Sequence, residues 1–285
     1  MKNYAGPAEI MYHTGLSAGM IRGAKYALVP GDPGRVEGLA KSLDERALFV
    51  ASHRDYTTWL ARVENAPVLV MSTGMGGPCV TFAVEELARL GVETFIRVGT
   101  TGSIQEDLHP GDVVINTASV RMDGASRAYA PIEFPAVADP DTVLALREAA
   151  EESGVPFNTG ISISTDSFWP GQERYDSFGG YVLKRLQGSL EDFRHIGCTN
   201  YEMENATLFT LCSVLGLKAA SICGVVAKRT DSESVAPHEV YEKAVERIAD
   251  EIEIATRKED IKLVEDSKKW VLSPERKASK REKQY

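Results

Sequence analysis

Four stretches of the 285-residue chain gather side chains that could do chemistry. Arg97-Val98-Gly99-Thr100-Thr101-Gly102 sets a guanidinium inside an otherwise apolar run and ends it in two hydroxyls and a glycine. A charge there is costly unless paired. Arg97 therefore either closes a structural ion pair or holds an anion beside the Thr100 and Thr101 hydroxyls. Pro30-Gly31-Asp32-Pro33-Gly34-Arg35 ends a second apolar run in a turn. Its glycines let backbone N–H groups approach an anion, and Arg35 adds a bidentate donor; read alone, it is also an ordinary turn. Tyr201-Glu202-Met203-Glu204 opens a long apolar stretch with two carboxylates. They suit either a helix start or the paired hydroxyls of a sugar. Phe168-Trp169-Pro170-Gly171-Gln172-Glu173-Arg174-Tyr175 offers aromatic faces, a guanidinium, and an amide that both donates and accepts. It can read the edge of a planar ring, or be a plain loop.

The elements that must position these groups alternate between strand and helix. Apolar runs predict strands at Tyr26–Pro30, Val68–Met71, Thr94–Gly99, Val113–Val120, Thr159–Ser164 and Ala219–Ala227. A helix is expected from about Pro78 to Leu90, with Val80, Val84 and Leu87 on one face and Glu85, Glu86 and Arg89 turned away. Pro78 suits its first turn and Gly91 its C-terminal cap. Met203–Leu215 is apolar nearly all round, which predicts a buried helix, and a long amphipathic helix follows from Glu239. Strand–helix–strand order implies parallel pairing, hence an α/β fold with a central mixed sheet flanked by helices. No linker is visible, so residues 1–257 read as one catalytic domain. Residues 258–285 read as a charged extension, mobile or helical, with seven Lys/Arg between Lys268 and Tyr285.

Three motif matches mislead. Gly15-Leu16-Ser17-Ala18-Gly19 has the spacing of a serine-hydrolase elbow, but that turn must follow a strand, and this one precedes the first. Gly74-Met75-Gly76-Gly77 resembles a dinucleotide loop with Cys79 where the third glycine belongs, and no phosphate loop of the Walker type occurs. Asn205-Ala206-Thr207 matches a glycosylation acceptor by chance. The four cysteines form no C-x-x-C pair, and the five histidines show no metal-binding spacing, so free thiols and no metal are expected. Thirty-two Lys/Arg against 41 Asp/Glu give a net charge of -9, which disfavours nucleic acid and anionic membrane as partners. Without a signal-like segment or an apolar run of ~18–20 residues, the expected location is the cytoplasm.

Several blocks in order, VPGDPGRVE, ASHRDYTTW, STGMGGP, VEELARLG, RVGTTGSI, VRMDGAS, EFPAVAD, PGQERYD and NYEMENATL, resemble the nucleoside phosphorylase family in its uridine branch. The resemblance covers roughly residues 10 to 255. It implies reversible phosphorolysis of uridine, and of deoxyuridine, to uracil and the (deoxy)ribose 1-phosphate. By this resemblance Gly31, Arg35, Arg97 and Thr100 hold phosphate, joined by Arg54 from a neighbouring subunit. Thr101, Met203 and Glu204 hold the ribose with Glu202 close by, and the neighbour's His13 meets the 5′-hydroxyl. Phe168 packs on sugar and base, and Gln172 and Arg174 read the uracil edge with Arg229 nearby. Glu204, Arg97 and Arg229 are the groups implied to carry catalysis. A site shared in this way implies a dimer unit, usually three dimers in a hexamer.

The family can hold a monovalent cation between partners with a Glu, a carbonyl and a Ser. The matching positions here are Asp55, Met75 and Cys79, and losing the hydroxyl weakens that site. No cofactor is expected beyond phosphate as co-substrate. Three alternatives stand beside this reading. A nucleosidase would lack the phosphate arginines, a purine nucleoside phosphorylase the Gln172/Arg174 pair, and a silent nucleoside-binding protein Glu204 or the arginines.

Overall fold

The computed structural model describes residues 2–64, 66–230, 232, 234 and 235. The helix expected from Glu239 and the division at residue 257 lie outside the described residues. Ten strands make one sheet: β1 (Tyr26–Pro30), β2 (Leu48–His53), β3 (Tyr56–Val63), β4 (Ala66–Met71), β5 (Thr94–Ser103), β6 (Val113–Met122), β7 (Ala136–Val137), β8 (Phe157–Thr165), β9 (Asn200–Glu202) and β10 (Lys218–Lys228). The helices are α1 (Ala18–Ile21), α2 (Val36–Leu43), α3 (Gly77–Leu90), α4 (Pro140–Ser153), α5 (Ser189–His195) and α6 (Asn205–Leu215). The expected α/β fold with a mixed sheet is observed.

β4, β1, β5 and β10 run parallel, in that order. The β2–β3 hairpin extends one edge antiparallel to β4. At the other side β10 also pairs with β6, β6 with β8, β8 with β9, and β9 with β5. Those five strands therefore close a ring, with β1, β4, β3 and β2 as an open limb.

β1 is buried at every residue because both its faces are covered. Ala27 and Val29 pack with Val80, Val84 and Leu87 of α3 and with Leu208, Phe209 and Leu211 of α6. Tyr26 and Leu28 face the opposite layer, with Val36 and Leu39 of α2 and Leu146 and Ala149 of α4. Asp139 caps α4 by accepting from the Thr142 N–H at 2.9 Å, and Gly154 ends that helix in the left-handed region.

One expectation is overturned on α3. Glu86 does not turn to solvent. Its carboxylate is buried and accepts from the His13 N–H at 2.9 Å, the Thr14 N–H at 2.8 Å and His13 Nδ1 at 2.7 Å. It ties the N-terminal segment to the helix. Buried helical carboxylates survive when donors surround them, and the periodicity of α3 alone does not show donors arriving from 70 residues away. Three of the four free cysteines, Cys198, Cys212 and Cys223, are buried, and Cys79 is half-buried.

Candidate active site

The C-terminal ends of the parallel strands gather the charged residues, as open α/β sheets do with ligands. Arg97 lies in register between Val29 of β1 and Ser221 of β10, so its stem is in the core. Its guanidinium meets the carboxylate of Glu204 through Nη2 and lies 3.9 Å from Glu202 Oε2 through Nε. Arg97 is only 6% exposed, and its Nε and Nη1 have no hydrogen-bond partner. A Cβ built on Gly31 would sit 3.9 Å from Nη1, so this idle N–H is beside the glycine turn after β1. Burial works against the Arg97 charge, but Glu204, Cys223 and Glu202 outweigh it and hold the group above its ordinary value. Arg35 is lowered by burial, with Arg97 adding to that and Asp32 opposing it. Two cations thus lie within electrostatic reach of each other, an arrangement that favours an anion between them.

Glu204 is held from three sides. Oε1 accepts the Gly76 N–H at 2.7 Å, and Oε2, besides Arg97, accepts the Met203 N–H at 3.2 Å. Glu202 is committed more completely. Oε2 accepts from the N–H groups of Glu204 and Asn205, each at 2.7 Å. Oε1 accepts from the Ser164 hydroxyl and, at 3.2 Å, from that of Ser162. Glu202 thus caps the start of α6 and fixes the strand that presents Glu204. Burial, then repulsion from Glu204, pushes its carboxyl above the usual range, with Arg97 opposing.

The Thr101 hydroxyl is also engaged. It donates to the Tyr201 carbonyl at 2.6 Å and accepts from Asn200 Nδ2 at 2.7 Å. Thr100, next to it in β5, is half-buried.

The base-reading candidates form a second group beside the first. Gln172 is 3% exposed and Arg174 2%. The Arg174 guanidinium lies 4.2 Å from the centre of the half-buried Phe168 ring. Arg229, just past β10, donates through Nη1 to the Gln172 carbonyl at 3.0 Å. Its stem passes close to Gly102, where an added Cβ would meet Cγ at 3.4 Å. β5 therefore carries Arg97 toward one group and Gly102 toward the other.

His13 and Arg54 are brought together elsewhere. Neither makes a hydrogen bond or ion pair to Arg97, Glu202 or Glu204 among the described residues. His13 stacks on Phe82 at 4.1 Å, and its carbonyl accepts from His53. Arg54 is exposed at the β2–β3 turn with φ 56°, its guanidinium 5.3 Å from the Tyr12 ring. Asp55 and Cys79 flank Gly74, where an added Cβ would lie 3.2 Å from Asp55 Cβ and 3.5 Å from Cys79 Sγ, and the side chain of Met75 is exposed. Among the described residues, no group of three or more His, Cys, Asp or Glu is arranged to hold a metal ion.

Several residues that shape the site carry no chemical signal in the sequence. Gly76 supplies the N–H for Glu204. Gly77 packs so tightly that an added Cβ would be 2.3 Å from Thr207 Oγ1 and 2.9 Å from Ala125 Cβ. The glycine turn that imitates a dinucleotide loop is thus a seat for Glu204 and a contact between α3 and α6. Its glycines were the available signal. Ser162 and Ser164 carry none, being ordinary strand residues until the fold aims them at Glu202.

Residues 25–257 match the Phosphorylase superfamily, and the chain belongs to that family. Within it, the chain is 50% identical over 223 residues to the uridine phosphorylase of Escherichia coli (strain K12), covering 78% of this chain and 88% of that one. Likeness to the uridine phosphorylase of Haemophilus influenzae is 46% over 239 residues, 84% of this chain and 94% of the other. The uridine phosphorylase of Thermococcus kodakarensis is 45% identical over 224 residues, 79% of each chain.

Proposed function

We propose that this protein catalyses the reversible phosphorolysis of uridine, and of deoxyuridine, to uracil and the (deoxy)ribose 1-phosphate. The observation that carries the reading is the buried Arg97–Glu204 pair, with Arg97 Nη1 left without a hydrogen-bond partner beside the Gly31 turn. An anion fills that arrangement, and phosphate has the acceptors for it. Arg35, Arg97, Gly31 and Thr100 hold phosphate beneath the sugar. Glu204 accepts from the ribose hydroxyls, with Thr101 and Met203 alongside and Glu202 fixing it from behind. Gln172 and Arg174 face the base with Phe168 against its plane and Arg229 bracing the loop. The 50% identity to a uridine phosphorylase supports uridine as the substrate.

The chemistry follows from charge. As the C1′–N1 bond lengthens, the ribose becomes cationic and uracil anionic. Donors on the uracil edge strengthen as that charge grows, so they bind the transition state better than the substrate. Phosphate held in line stabilises the cation and then captures it, with no covalent enzyme intermediate. Prior positioning of the nucleophile removes up to about 7–11 kcal/mol in ideal cases.

The active unit in this reading is a dimer that shares its sites, three of which form a hexamer. What supports sharing is that His13 and Arg54 make no bond to the acidic–basic cluster of their own chain. They stand instead with exposed Phe82 and Tyr12, against His13 and Arg54 respectively. Phosphate is the only co-substrate, with no cofactor and no resident metal, and the location is the cytoplasm. No helix among the described residues is long and apolar enough to cross a membrane. Phosphorus NMR of the protein mixed with uridine and phosphate tests the reaction. A new phosphate-monoester resonance from ribose 1-phosphate is expected; free ribose with unchanged phosphate would refute phosphorolysis.

A further inference from the structure

Glu173 stands between the two base-reading candidates, and its backbone is left-handed, with φ 52° and ψ 44°. Only Arg22, Arg54 and Glu64 share a positive φ among the described non-glycine residues. A side chain with a Cβ does not adopt that conformation freely, and residues held in it cluster where function requires it. Here the reversal follows the 3₁₀ turn Pro170–Gln172. The Glu173 N–H donates to the Pro170 carbonyl at 3.2 Å and the Arg174 N–H to the Trp169 carbonyl at 2.8 Å. The result is that Gln172 and Arg174 are both buried while the side chain between them reaches elsewhere.

That side chain ties the loop to the segment 188–190. Its Oε1 accepts the Gly188 N–H at 2.5 Å, and its Oε2 the Leu190 N–H at 2.7 Å and the Ser189 hydroxyl at 3.4 Å. The Tyr175 hydroxyl adds a donor at 3.3 Å. Gly188, Ser189 and Leu190 are the N-cap and first residues of α5, and α5 is itself seated. Its Leu190 and Phe193 pack on the cluster of Ile104, Ile163, Cys198 and Tyr201. Tyr201 directly precedes Glu202 in β9. A chain of direct contacts therefore runs from the 172–174 loop, through the Glu173 carboxylate and α5, to the strand that presents Glu204.

We infer that Glu173 is a positioning residue for the nucleobase: its carboxylate clamps the 172–174 loop to α5 and so keeps Gln172 and Arg174 in register with Glu204. The inference rests on the proposed function, since it concerns how that reaction's base site is held. Glu173 touches no substrate and acts through its neighbours. A role as a mere cap of α5 would affect folding and leave the chemistry of folded protein unchanged.

Steady-state kinetics on the full-length protein separates these cases. Glu173→Ala removes the clamp and keeps the unfavourable φ; Glu173→Gly removes the clamp and relieves it; Glu173→Gln keeps one acceptor. A displacement of about 1 Å at a reacting group costs on the order of 10²-fold in rate. We expect kcat on uridine to fall by about that factor in both the alanine and glycine variants. The KM for phosphate should stay unchanged, and the glutamine variant should fall between them and the wild type. Glycine should restore thermal stability lost by alanine, but not its kcat, and it decides the test if alanine does not fold. In a Gln172→Ala background, Glu173→Gly should add less than its effect alone, because both act on one contact. Wild-type kcat in the folded glycine variant would overturn the inference, as would full additivity with Gln172→Ala. Wild-type protein that released no uracil from uridine with phosphate would instead overturn the proposed function, and this inference with it.

Discussion

Replacing Arg97 with Met should separate what the guanidinium does for the fold from what it does for the reaction. Met retains most of the stem that crosses the core between Val29 and Ser221. What disappears is the charge between Glu204 and Glu202, both only 3% exposed. Leaving a buried charge without its partner costs about 3–5 kcal/mol. For a domain of this size that corresponds to roughly 6–20 °C in Tm, at about 2–4 °C per kcal/mol. Glu204→Gln in the same molecule removes the orphaned charge while an amide oxygen still accepts the Gly76 N–H. The double variant should therefore recover most of the lost Tm. It should not recover activity: losing one such donor costs about 10²–10³-fold in rate, and the phosphate site is emptied of its central cation. Thermal unfolding of wild type, both singles and the double gives the coupling energy directly, and uracil release from uridine gives the activity. Wild-type Tm in Arg97→Met would refute the assignment of Arg97 as the charge that neutralises Glu204. Phosphorolysis at the wild-type rate would refute its role in holding phosphate.

Three further outcomes follow from the packing. Glu86 is buried, which raises its carboxyl, but donors from His13 and Thr14 outweigh this and hold it below its ordinary value of 4.5. The fold thus prefers the anion. That stabilisation is present above pH 4.5 and drains away as the pH falls below it, so urea unfolding should show wild type losing its advantage over Glu86→Gln in acid. An advantage unchanged down to pH 3 would contradict this, since the unfolded chain takes up its proton below the ordinary value of 4.5 while the folded chain resists it. Ser164→Ala deletes a donor to Glu202, a bond to the Ser119 hydroxyl at 2.8 Å and an acceptor for the Ala206 N–H at 2.8 Å. A loss of about 1–3 kcal/mol in chemical denaturation is expected for each buried group left unpaired. Gly77→Ala drives a methyl to 2.3 Å from Thr207 Oγ1, so α3 and α6 must part; about 1–3 kcal/mol of overpacking should appear as a lowered Tm.

Much of the parallel core is legible in the sequence because strands covered on both faces read as continuous apolar runs, as at Tyr26–Pro30. The β2–β3 hairpin is not legible. Its two-residue turn is Arg54-Asp55, without the glycine or asparagine that usually signals one, and Arg54 takes a positive φ regardless. The convergence of Arg97 with Glu202 and Glu204 is foreshadowed by charge within apolar sequence, which must find a partner. The rest of the site depends on contacts across long separations. The Gly76 N–H reaches Glu204 across 128 residues, and Ser162 and Ser164 reach Glu202 across 40 and 38. No local pattern encodes those meetings. For Glu86, the helical face read as solvent-exposed is the face on which the N-terminal segment lies.

The most direct test of the central claim follows uracil release by ultraviolet absorbance, with uridine as substrate, in the presence and absence of inorganic phosphate, and with inosine in parallel. Uracil released only when phosphate is present, with inosine inert, is the predicted result. Uracil released equally without phosphate would make the enzyme a hydrolase and leave Arg35, Arg54 and Arg97 with structural roles. Cleavage of inosine in preference to uridine would contradict the reading of Gln172 and Arg174 as a uracil edge.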